Sequence, residues 1–278
     1  MTLDASLFFD LDAFAHRALF QDGENVWEAL RRLPGYLAGL FDGDWPLQGV
    51  TGLVTEPLVI LDGVLVLDGA VSLAVTGKKN QLVVEVDGKA HKDAAVIMPG
   101  AYLFDDRVLI GPGTVVEPGA LIKGPCVIGA HTEVRQGAYI RGDVLVGDRC
   151  VVGHTTEVKS AILLDDAKAG HFAYIGDSIL GNNVNLGAGT KCANLKMVGG
   201  NVTVRSGGEK IDTGLRKIGA ILGDHTEAGC NSVTSPGTLM GKKSGVYPCV
   251  NVPSGYYADG TVVASTAEAL AIRRGQHS

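Results

Sequence analysis

Apolar residues recur every six positions from Met98 onward, and this period is the strongest pattern in the chain. Strands of a sandwich alternate with a period of two, and an amphipathic helix repeats about every 3.6 residues, so neither explains a register of six. An aliphatic residue followed by a small or β-branched one in every hexad predicts a parallel β-helix with a thin core. The series comprises Met98, Phe104, Ile110, Val116, Ile122, Ile128, Val134, Ile140, Val146, Val152, Val158 and Leu164.

Three hexads make one coil, so residues three hexads apart should stack at the spacing of paired strands, roughly 4.8 Å. Two columns follow from this spacing. One holds Gly111, Gly129 and Gly147, as a repeated tight corner would require. The other holds three cations, Lys123, Arg141 and Lys159. Stacked cations repel one another unless an anion lies against them, so this column is either an anion-binding site or a solvated edge.

The six-residue register fails after Leu164 and resumes at Leu180, two residues short of its first phase. A polar, glycine-rich insertion, about 193–219, then separates Cys192 from the last hexads, which begin at Leu222. Long loops in compact repeat proteins usually serve a function. We therefore expect the insertion to leave the coil as a loop.

One imidazole and several amides lie between Gly170 and Leu195. His171 can exchange a proton near neutral pH, and Tyr174 follows three residues later. Asparagine amides suit the orientation of hydroxyl groups, and they occur at Asn182, Asn183, Asn185 and Asn194. The glycines of NLGAGT (185–190) permit close approach to backbone N–H groups that could hold an oxyanion. A structural histidine beside stacked asparagines is the alternative interpretation.

A specific resemblance rests on one stretch, EVKSAILLDDAKAGHFAYIGDSILGNNVNLGAGTKCANL (157–195). It resembles the acetyltransferase half of the bifunctional glucosamine-1-phosphate acetyltransferase/UDP-N-acetylglucosamine pyrophosphorylases, and above all archaeal sugar-1-phosphate enzymes. The resemblance covers about 95–252 and implies a left-handed parallel β-helix of hexapeptide repeats. It also implies a homotrimer that transfers an acetyl group from acetyl-CoA, bound between neighbouring helices, to glucosamine 1-phosphate or galactosamine 1-phosphate.

The resemblance assigns roles residue by residue. His171 matches the catalytic base, and Asn194 matches the asparagine near it. The family's sugar-phosphate ligands fall on Arg141, Lys159, Tyr174 and Asn185. Ala188 matches a position that lines the acetyl-CoA site, and the backbone near Leu195 would help to hold the oxyanion. The bacterial enzymes carry a tyrosine where this chain has Leu195, and their later lysine has no certain counterpart here, although Lys196 lies nearby.

Residues 1–94 do not share the six-residue period. The segment 24–41 has helical spacing, with Pro34 expected to kink or end the helix. Asp-Gly pairs between 49 and 88 predict either hairpins or irregular coils that cap the end of the β-helix. The chain is thus expected to be mainly β, with a small N-terminal α+β cap at 1–94, the β-helix at 95–264 and a tail at 265–278. The tail's basic end (272–278) is expected either to reach the CoA phosphates or to fray. The glycine-rich nucleotide loop of the longer relatives is missing from this segment, so pyrophosphorylase activity is not implied.

Composition narrows the function classes. The net charge of −6 favours neither nucleic acid nor an anionic membrane. The five cysteines form no C-x-x-C pair, which argues against a disulfide framework or a zinc ribbon, and most are expected to point inward as small hydrophobic residues. With no basic start typical of a signal peptide, we expect a soluble cytoplasmic protein without a metal.

Two other functions share this fold. A γ-type carbonic anhydrase needs zinc ligands that include an H-x4-H pair, and the histidines at 131, 154, 171 and 225 do not have that spacing. A non-catalytic β-helix that binds sugar phosphate, or that works as a scaffold with a separate nucleotidyltransferase, is the second alternative. His171, Tyr174, Asn185 and Asn194 together favour the enzyme, since a scaffold has no use for all four.

Overall fold

A computed structural model describes residues 2–76 and 81–265, so the predicted role of the basic tail at 272–278 lies outside the described residues. The chain winds into coils whose strands form three long sheets along the faces of a prism. Each complete coil contributes one strand to each of the three sheets. The predicted β-helix fold is confirmed.

The strands of each sheet stack from coil to coil. Sheet 1 comprises Gly52–Leu53, Tyr102–Leu103, Leu121–Lys123, Tyr139–Arg141, Glu157–Lys159, Tyr174–Gly176, Lys191–Cys192, Val233–Thr234 and Asn251–Val252. Sheet 2 comprises Leu58–Leu61, Val64–Leu65, Ala95–Ile97, Val115–Val116, Glu133–Val134, Val151–His154, Lys168–His171, Asn185–Leu186, Glu227–Ala228, Gly245–Val246 and Val262–Val263. Sheet 3 comprises Val108–Ile110, Cys126–Ile128, Val144–Val146, Ala161–Leu163, Ile179–Leu180, Ala220–Leu222, Thr238–Met240 and Gly255–Tyr257.

Three members of the six-residue series do not point into the β-helix. Ile97 and Leu103 fill the core where Met98 and Phe104 were expected, and the Phe104 side chain is 60% exposed. Leu163 takes the inward position expected for Leu164. The pattern was ambiguous there because Leu164 is also fully buried, but on the outer side of sheet 3, beneath the N-terminal segment.

The break in register is divided between two places, and only one of them lies in the expected interval between Leu164 and Leu180. Val115 lies opposite Glu133, a full three hexads later, whereas the partner of Val144 is Ala161, one position short of three hexads. The next coil is short by one position as well, since Ile162 lies opposite Ile179. The two lost residues therefore come from the corners between sheets 1 and 3, around Ser160 and Asp177. The strand that carries His171 lies between these corners and pairs without interruption, one position short of three hexads from the preceding coil.

The glycine column reflects the close approach of coils at the corner between sheets 3 and 2. A Cβ on Gly129 would lie 2.5 Å from the backbone carbon of Gly147. Buried hydroxyls at the same corner satisfy the backbone of the next coil. The Thr132 hydroxyl donates to the Gly147 carbonyl at 2.9 Å and accepts from the Cys150 N–H at 3.0 Å. Steric fit and hydrogen bonding both fix this corner.

The N-terminal segment lies along a side of the prism rather than only at its end. It comprises 3₁₀ turns at Ala5–Leu7 and Arg17–Leu19 and an α-helix at Glu28–Gly39, which continues through Pro34. Fully buried side chains such as Phe8, Trp27 and Leu33 pack on the outer residues of sheet 3. Each such side chain stabilises the packing by about 1.5–3 kcal/mol.

The insertion adds to this covering layer. Its strands, Thr203–Ser206 and Glu209–Asp212, form a hairpin. Val202, Val204 and Ile218 are buried in the same cluster as the N-terminal segment. The side chain of Arg31 donates to the Thr213 carbonyl at 3.1 Å, which joins the helix to the insertion. The outer face of sheet 3 is therefore covered by the chain itself.

The segment 52–65 closes the first coil. Gly52–Leu53 pairs antiparallel with Tyr102–Leu103, and Leu58–Leu61 pairs antiparallel with Ala95–Ile97. A separate antiparallel sheet follows, with strands Val71–Thr76, Gln81–Val86 and Lys89–His91. Pairing of this kind protects the open edge of the first coil.

A buried carboxylate fastens the N-terminal segment to the coils. Asp224 is 4% exposed, and its two oxygens accept the N–H groups of Asp10 and Asn182, each at 2.7 Å. The Asp224 N–H donates to the Phe8 carbonyl at 2.8 Å. Burial raises the pKa of Asp224, while these hydrogen bonds lower it by a smaller amount.

The cysteines divide into two classes. Cys126, Cys150 and Cys192 point inward as expected, whereas Cys230 and Cys249 are exposed at the surface, and all five are free thiols. Burial raises the pKa of Cys150 to about 12 and that of Cys192 to about 11. The buried thiols therefore act as small apolar residues. No helix within residues 2–76 and 81–265 is long and apolar enough to cross a bilayer.

Candidate active site

The predicted cation column runs along the outer face of sheet 1. Lys123 lies opposite Arg141, and the register that places Ile140 opposite Val158 brings Lys159 beside Arg141. Arg141 is exposed, with its guanidinium carbon 5.8 Å from the centre of the Tyr139 ring. Because these residues hold matching positions on neighbouring parallel strands, their side chains point to the same face of the sheet.

Two carboxylates of the chain balance this column. The Arg141 guanidinium donates to a Glu157 oxygen at 2.6 Å, and this hydrogen bond raises the pKa of Arg141. The Lys159 ammonium lies 3.3 Å from Asp177, which follows it by one coil. The mutual repulsion of Arg141 and Lys159 is therefore reduced by carboxylates of the protein itself.

Tyr174 and Asn194 meet above Gly176. A Cβ on Gly176 would lie 2.6 Å from both the Tyr174 hydroxyl and the Asn194 amide nitrogen, so glycine makes room for both side chains. The Asn194 amide donates to Asp177 at 2.5 Å. Burial raises the pKa of Tyr174, as does the negative charge of Glu157, while a hydrogen bond with Asn194 lowers it. Four of the predicted residues thus lie together on sheet 1. Arg141 pairs with Glu157, Lys159 is joined to Asn194 through Asp177, and Tyr174 interacts with the charges of both groups.

His171 ends its sheet 2 strand at the edge next to sheet 1. Its imidazole is exposed and stacks on that of His154 in the preceding coil, with centroids 5.9 Å apart and planes inclined by 24°. The Phe172 N–H donates to the His154 carbonyl, and the Gly189 N–H donates to the His171 carbonyl at 3.1 Å. His154, His171 and Ala188 therefore occupy successive coils along one edge.

Asn185 lies apart from both groups, whereas Leu195 directly follows Asn194 of the sheet 1 group. Asn185 is on the face of sheet 2, where its amide donates to Glu227 at 3.1 Å. Leu195 is 49% exposed at the start of the insertion and forms an isolated bridge with Lys217. The glycine N–H groups of the NLGAGT segment are already used, because Gly187 donates to Ala228 and Gly189 donates to His171. These two N–H groups are not free to hold an oxyanion.

Comparison with known proteins finds similarity over the region that contains the candidate site. The family model described as the GMPPB C-terminal domain matches residues 122–208. The bifunctional sugar-1-phosphate nucleotidylyltransferase/acetyltransferase of Sulfurisphaera tokodaii is 37% identical over 111 residues, covering 39% of this chain and 28% of that protein. The bifunctional protein GlmU of Methanococcus aeolicus is 34% identical over 160 residues, covering 58% of this chain and 37% of that protein.

A shorter relative decides the family. The protein named uncharacterized acetyltransferase YaiX of Escherichia coli is 33% identical over 156 residues, covering 55% of this chain and 68% of that relative. The chain belongs to the hexapeptide-repeat acetyltransferases. It spans only about a third of the length of the bifunctional relatives.

Glu157 and Asp177 of this hexapeptide-repeat acetyltransferase were not among the site residues predicted from the sequence. A signal for both was present. Glu157 lies two residues before Lys159, so a strand carries both side chains on one face, and Asp177 follows Lys159 by one nominal coil of three hexads. The prediction used the cations and asparagines and left out the carboxylates that share their column.

Proposed function

We propose that this chain is an acetyl-CoA-dependent N-acetyltransferase that acts on a hexosamine 1-phosphate, either glucosamine 1-phosphate or galactosamine 1-phosphate. One observation carries the proposal. Arg141, Lys159, Tyr174 and Asn194 lie together on sheet 1, beside the edge that presents His171 and Ala188. Membership of an acetyltransferase family and the similarity to sugar-1-phosphate enzymes support it.

His171 acts as the general base in this proposal. A sugar amine must be neutral to attack a thioester, and an exposed imidazole accepts the amine proton near neutral pH. The amine nitrogen forms a bond to the acetyl carbon, the carbon–sulfur bond breaks, and the departing sulfur takes the proton held by His171 and leaves as the CoA thiol. Backbone N–H groups near Asn194 and Leu195 stabilise the oxyanion formed in this step.

The cations hold the acceptor. Arg141 keeps N–H groups beyond the one that meets Glu157, and a guanidinium can bind phosphate through two parallel hydrogen bonds. Lys159 adds a second positive charge, and Tyr174 and Asn194 contact the sugar. The phosphate joins an existing network of charges, so its recognition depends on hydrogen-bond geometry as well as on net charge.

A homotrimer completes the site in this proposal. Asn185 lies on sheet 2 and faces away from the cluster on sheet 1, so one chain alone does not bring them together. Sheet 3 is covered by the N-terminal segment and the insertion, which leaves sheets 1 and 2 for contacts between subunits. Acetyl-CoA then lies in the groove between neighbouring helices, against Ala188 and Leu195.

Release of the CoA thiol tests the activity. Acetyl-CoA is incubated with wild-type protein and either glucosamine 1-phosphate or galactosamine 1-phosphate, and the N-acetylated product is identified by mass spectrometry. Thiol and product should form in equal amounts with one of these amines. If neither thiol nor product forms, the proposed activity is contradicted and the non-catalytic scaffold is favoured. Such a scaffold would still bind sugar phosphate in calorimetry.

A further inference from the structure

Asp177 occupies the shortened corner between sheets 1 and 3. Its backbone is left-handed, with φ of 46°. Its N–H donates to the Lys159 carbonyl at 2.9 Å, and its carbonyl accepts from the Gly219 N–H at 2.8 Å, where the insertion rejoins the coil. Hydrogen bonds to the coils on both sides therefore fix the position of this residue.

The Asp177 carboxylate holds two predicted site residues at once. Its oxygens lie 3.3 and 3.4 Å from the Lys159 ammonium, and one accepts the Asn194 amide at 2.5 Å. The side chains are partly shielded from solvent, with 15% of Asp177 and 23% of Lys159 exposed. Ion pairs of this kind are screened less than fully exposed ones.

This contact also sets which way the Asn194 amide faces. A carboxylate can only accept hydrogen bonds, so the NH₂ group of Asn194 must point to Asp177. The amide oxygen is left with no donor among residues 2–76 and 81–265, so it can accept a hydrogen bond from an amine or hydroxyl. Lysine is otherwise a flexible point charge, and the carboxylate restricts where its ammonium can lie.

We propose that Asp177 is a positioning residue that fixes the Lys159 ammonium and the Asn194 amide at a set separation. The inference rests on the proposed function. Lys159 meets the anionic group of the acceptor, while the Asn194 oxygen meets its amine or a neighbouring hydroxyl. The carboxylate thereby selects acceptors in which a phosphate and an amine lie at the matching distance on one sugar ring.

Two substitutions separate the roles of Asp177, and both tolerate its left-handed backbone. Asp177→Gly removes both contacts, whereas Asp177→Asn keeps an acceptor for Asn194 and loses the ion pair to Lys159. Asp143 supplies matched controls, since it has a left-handed φ of 50° at the equivalent corner. Its carboxylate accepts no hydrogen bond from the part of the chain that the structure describes.

The separate kinetic constants give the decisive readout. In Asp177→Asn, the KM for the amino-sugar phosphate should rise roughly tenfold with kcat nearly kept, as expected from loss of a charged hydrogen bond. In Asp177→Gly, kcat should fall as well, while the KM for acetyl-CoA stays unchanged in both variants. Asp143→Asn and Asp143→Gly should stay within about twofold of wild type, by the small effect of ordinary surface substitutions.

Equal behaviour of the Asp177 and Asp143 variants would overturn the inference, as would a parallel rise in both KM values. An inactive wild type would instead contradict the proposed function. In that case the affinity for inorganic phosphate, measured by calorimetry, still tests Asp177. Weaker binding in Asp177→Gly than in Asp143→Gly supports the positioning role, and equal binding refutes it.

Discussion

The carboxylate of Glu157 lies 2.6 Å from the guanidinium of Arg141 on the preceding coil. Lys159 is paired in the same way with Asp177, so two of the three cations in the column have carboxylate partners. A partly exposed ion pair of this kind contributes only about 0–1 kcal/mol to stability. The arrangement therefore has more consequence for where the cations lie than for how stable the fold is.

Arg141→Ala should raise the KM for the amino-sugar phosphate by roughly tenfold or more, because a charged hydrogen bond to phosphate is lost. Lys123→Ala is the matched control, since Lys123 lies opposite Arg141 in the same column one coil earlier. Its KM should stay near the wild-type value. Steady-state kinetics with varied acceptor measure both, and an equal rise in both variants would show a diffuse charge effect instead of a defined site.

Gly129→Ala should strongly destabilise the β-helix, because the added Cβ would lie 2.5 Å from the backbone of Gly147. Gly35→Ala is the control, since Gly35 lies inside the α-helix and an added methyl group there would meet nothing within 4 Å beyond the helix itself among the described residues. That change should stabilise the protein by about 0.5–1 kcal/mol. Urea unfolding compares the two, and similar effects on the free energy of unfolding would contradict the close approach of coils.

Trp27→Ala should reduce the free energy of unfolding by about 3–5 kcal/mol, as expected for loss of a fully buried large side chain. Trp27 is 1% exposed between the N-terminal segment and sheet 3. Leu67→Ala serves as the control, because Leu67 is 83% exposed. Chemical denaturation followed by circular dichroism measures both, and a small effect at Trp27 would mean that the N-terminal segment does not pack on sheet 3.

Asp224 makes a pH-dependent contribution to stability. Because burial raises its pKa, the folded chain keeps this proton to a higher pH than the unfolded chain does. The contribution of this group is greatest below the unfolded aspartate pKa of about 3.9 and decreases as pH rises toward the higher folded pKa. Relative to Asp224→Asn, the wild-type free energy of unfolding should therefore fall as pH rises across this window. Urea unfolding at several pH values measures the difference, and a pH-independent difference would contradict the raised pKa.

The periodic part of the fold was predictable because every coil repeats the same physical requirements. Inward positions such as Ile122, Ile140 and Val158 carry aliphatic side chains, and Gly129 marks a corner that has no room for a Cβ. The packing of the N-terminal segment on sheet 3 was not predictable. Ile162 and Leu164 are buried by residues far away in sequence, and the period alone cannot separate them from the inward Leu163.

The residues of the candidate site could be named from the sequence, but their arrangement could be predicted only in part. Arg141 and Lys159 followed from the spacing of three hexads, whereas the shortened coils around Ser160 and Asp177 required the strand registers. The strand that carries His171 lies between these two corners and pairs continuously with the preceding coil. Single residues lost at corners leave the hexads on either side intact, so their location is hidden in the sequence.

The most direct test of the central claim compares two imidazoles that stack on adjacent coils. Thiol release from acetyl-CoA is measured with the preferred amino-sugar phosphate for wild type, His171→Ala and His154→Ala. Loss of the general base predicts a fall of roughly a hundredfold or more in kcat for His171→Ala, with His154→Ala retaining most of the wild-type rate. Full activity in His171→Ala, or an equal loss in both variants, would contradict the assignment of His171 as the base.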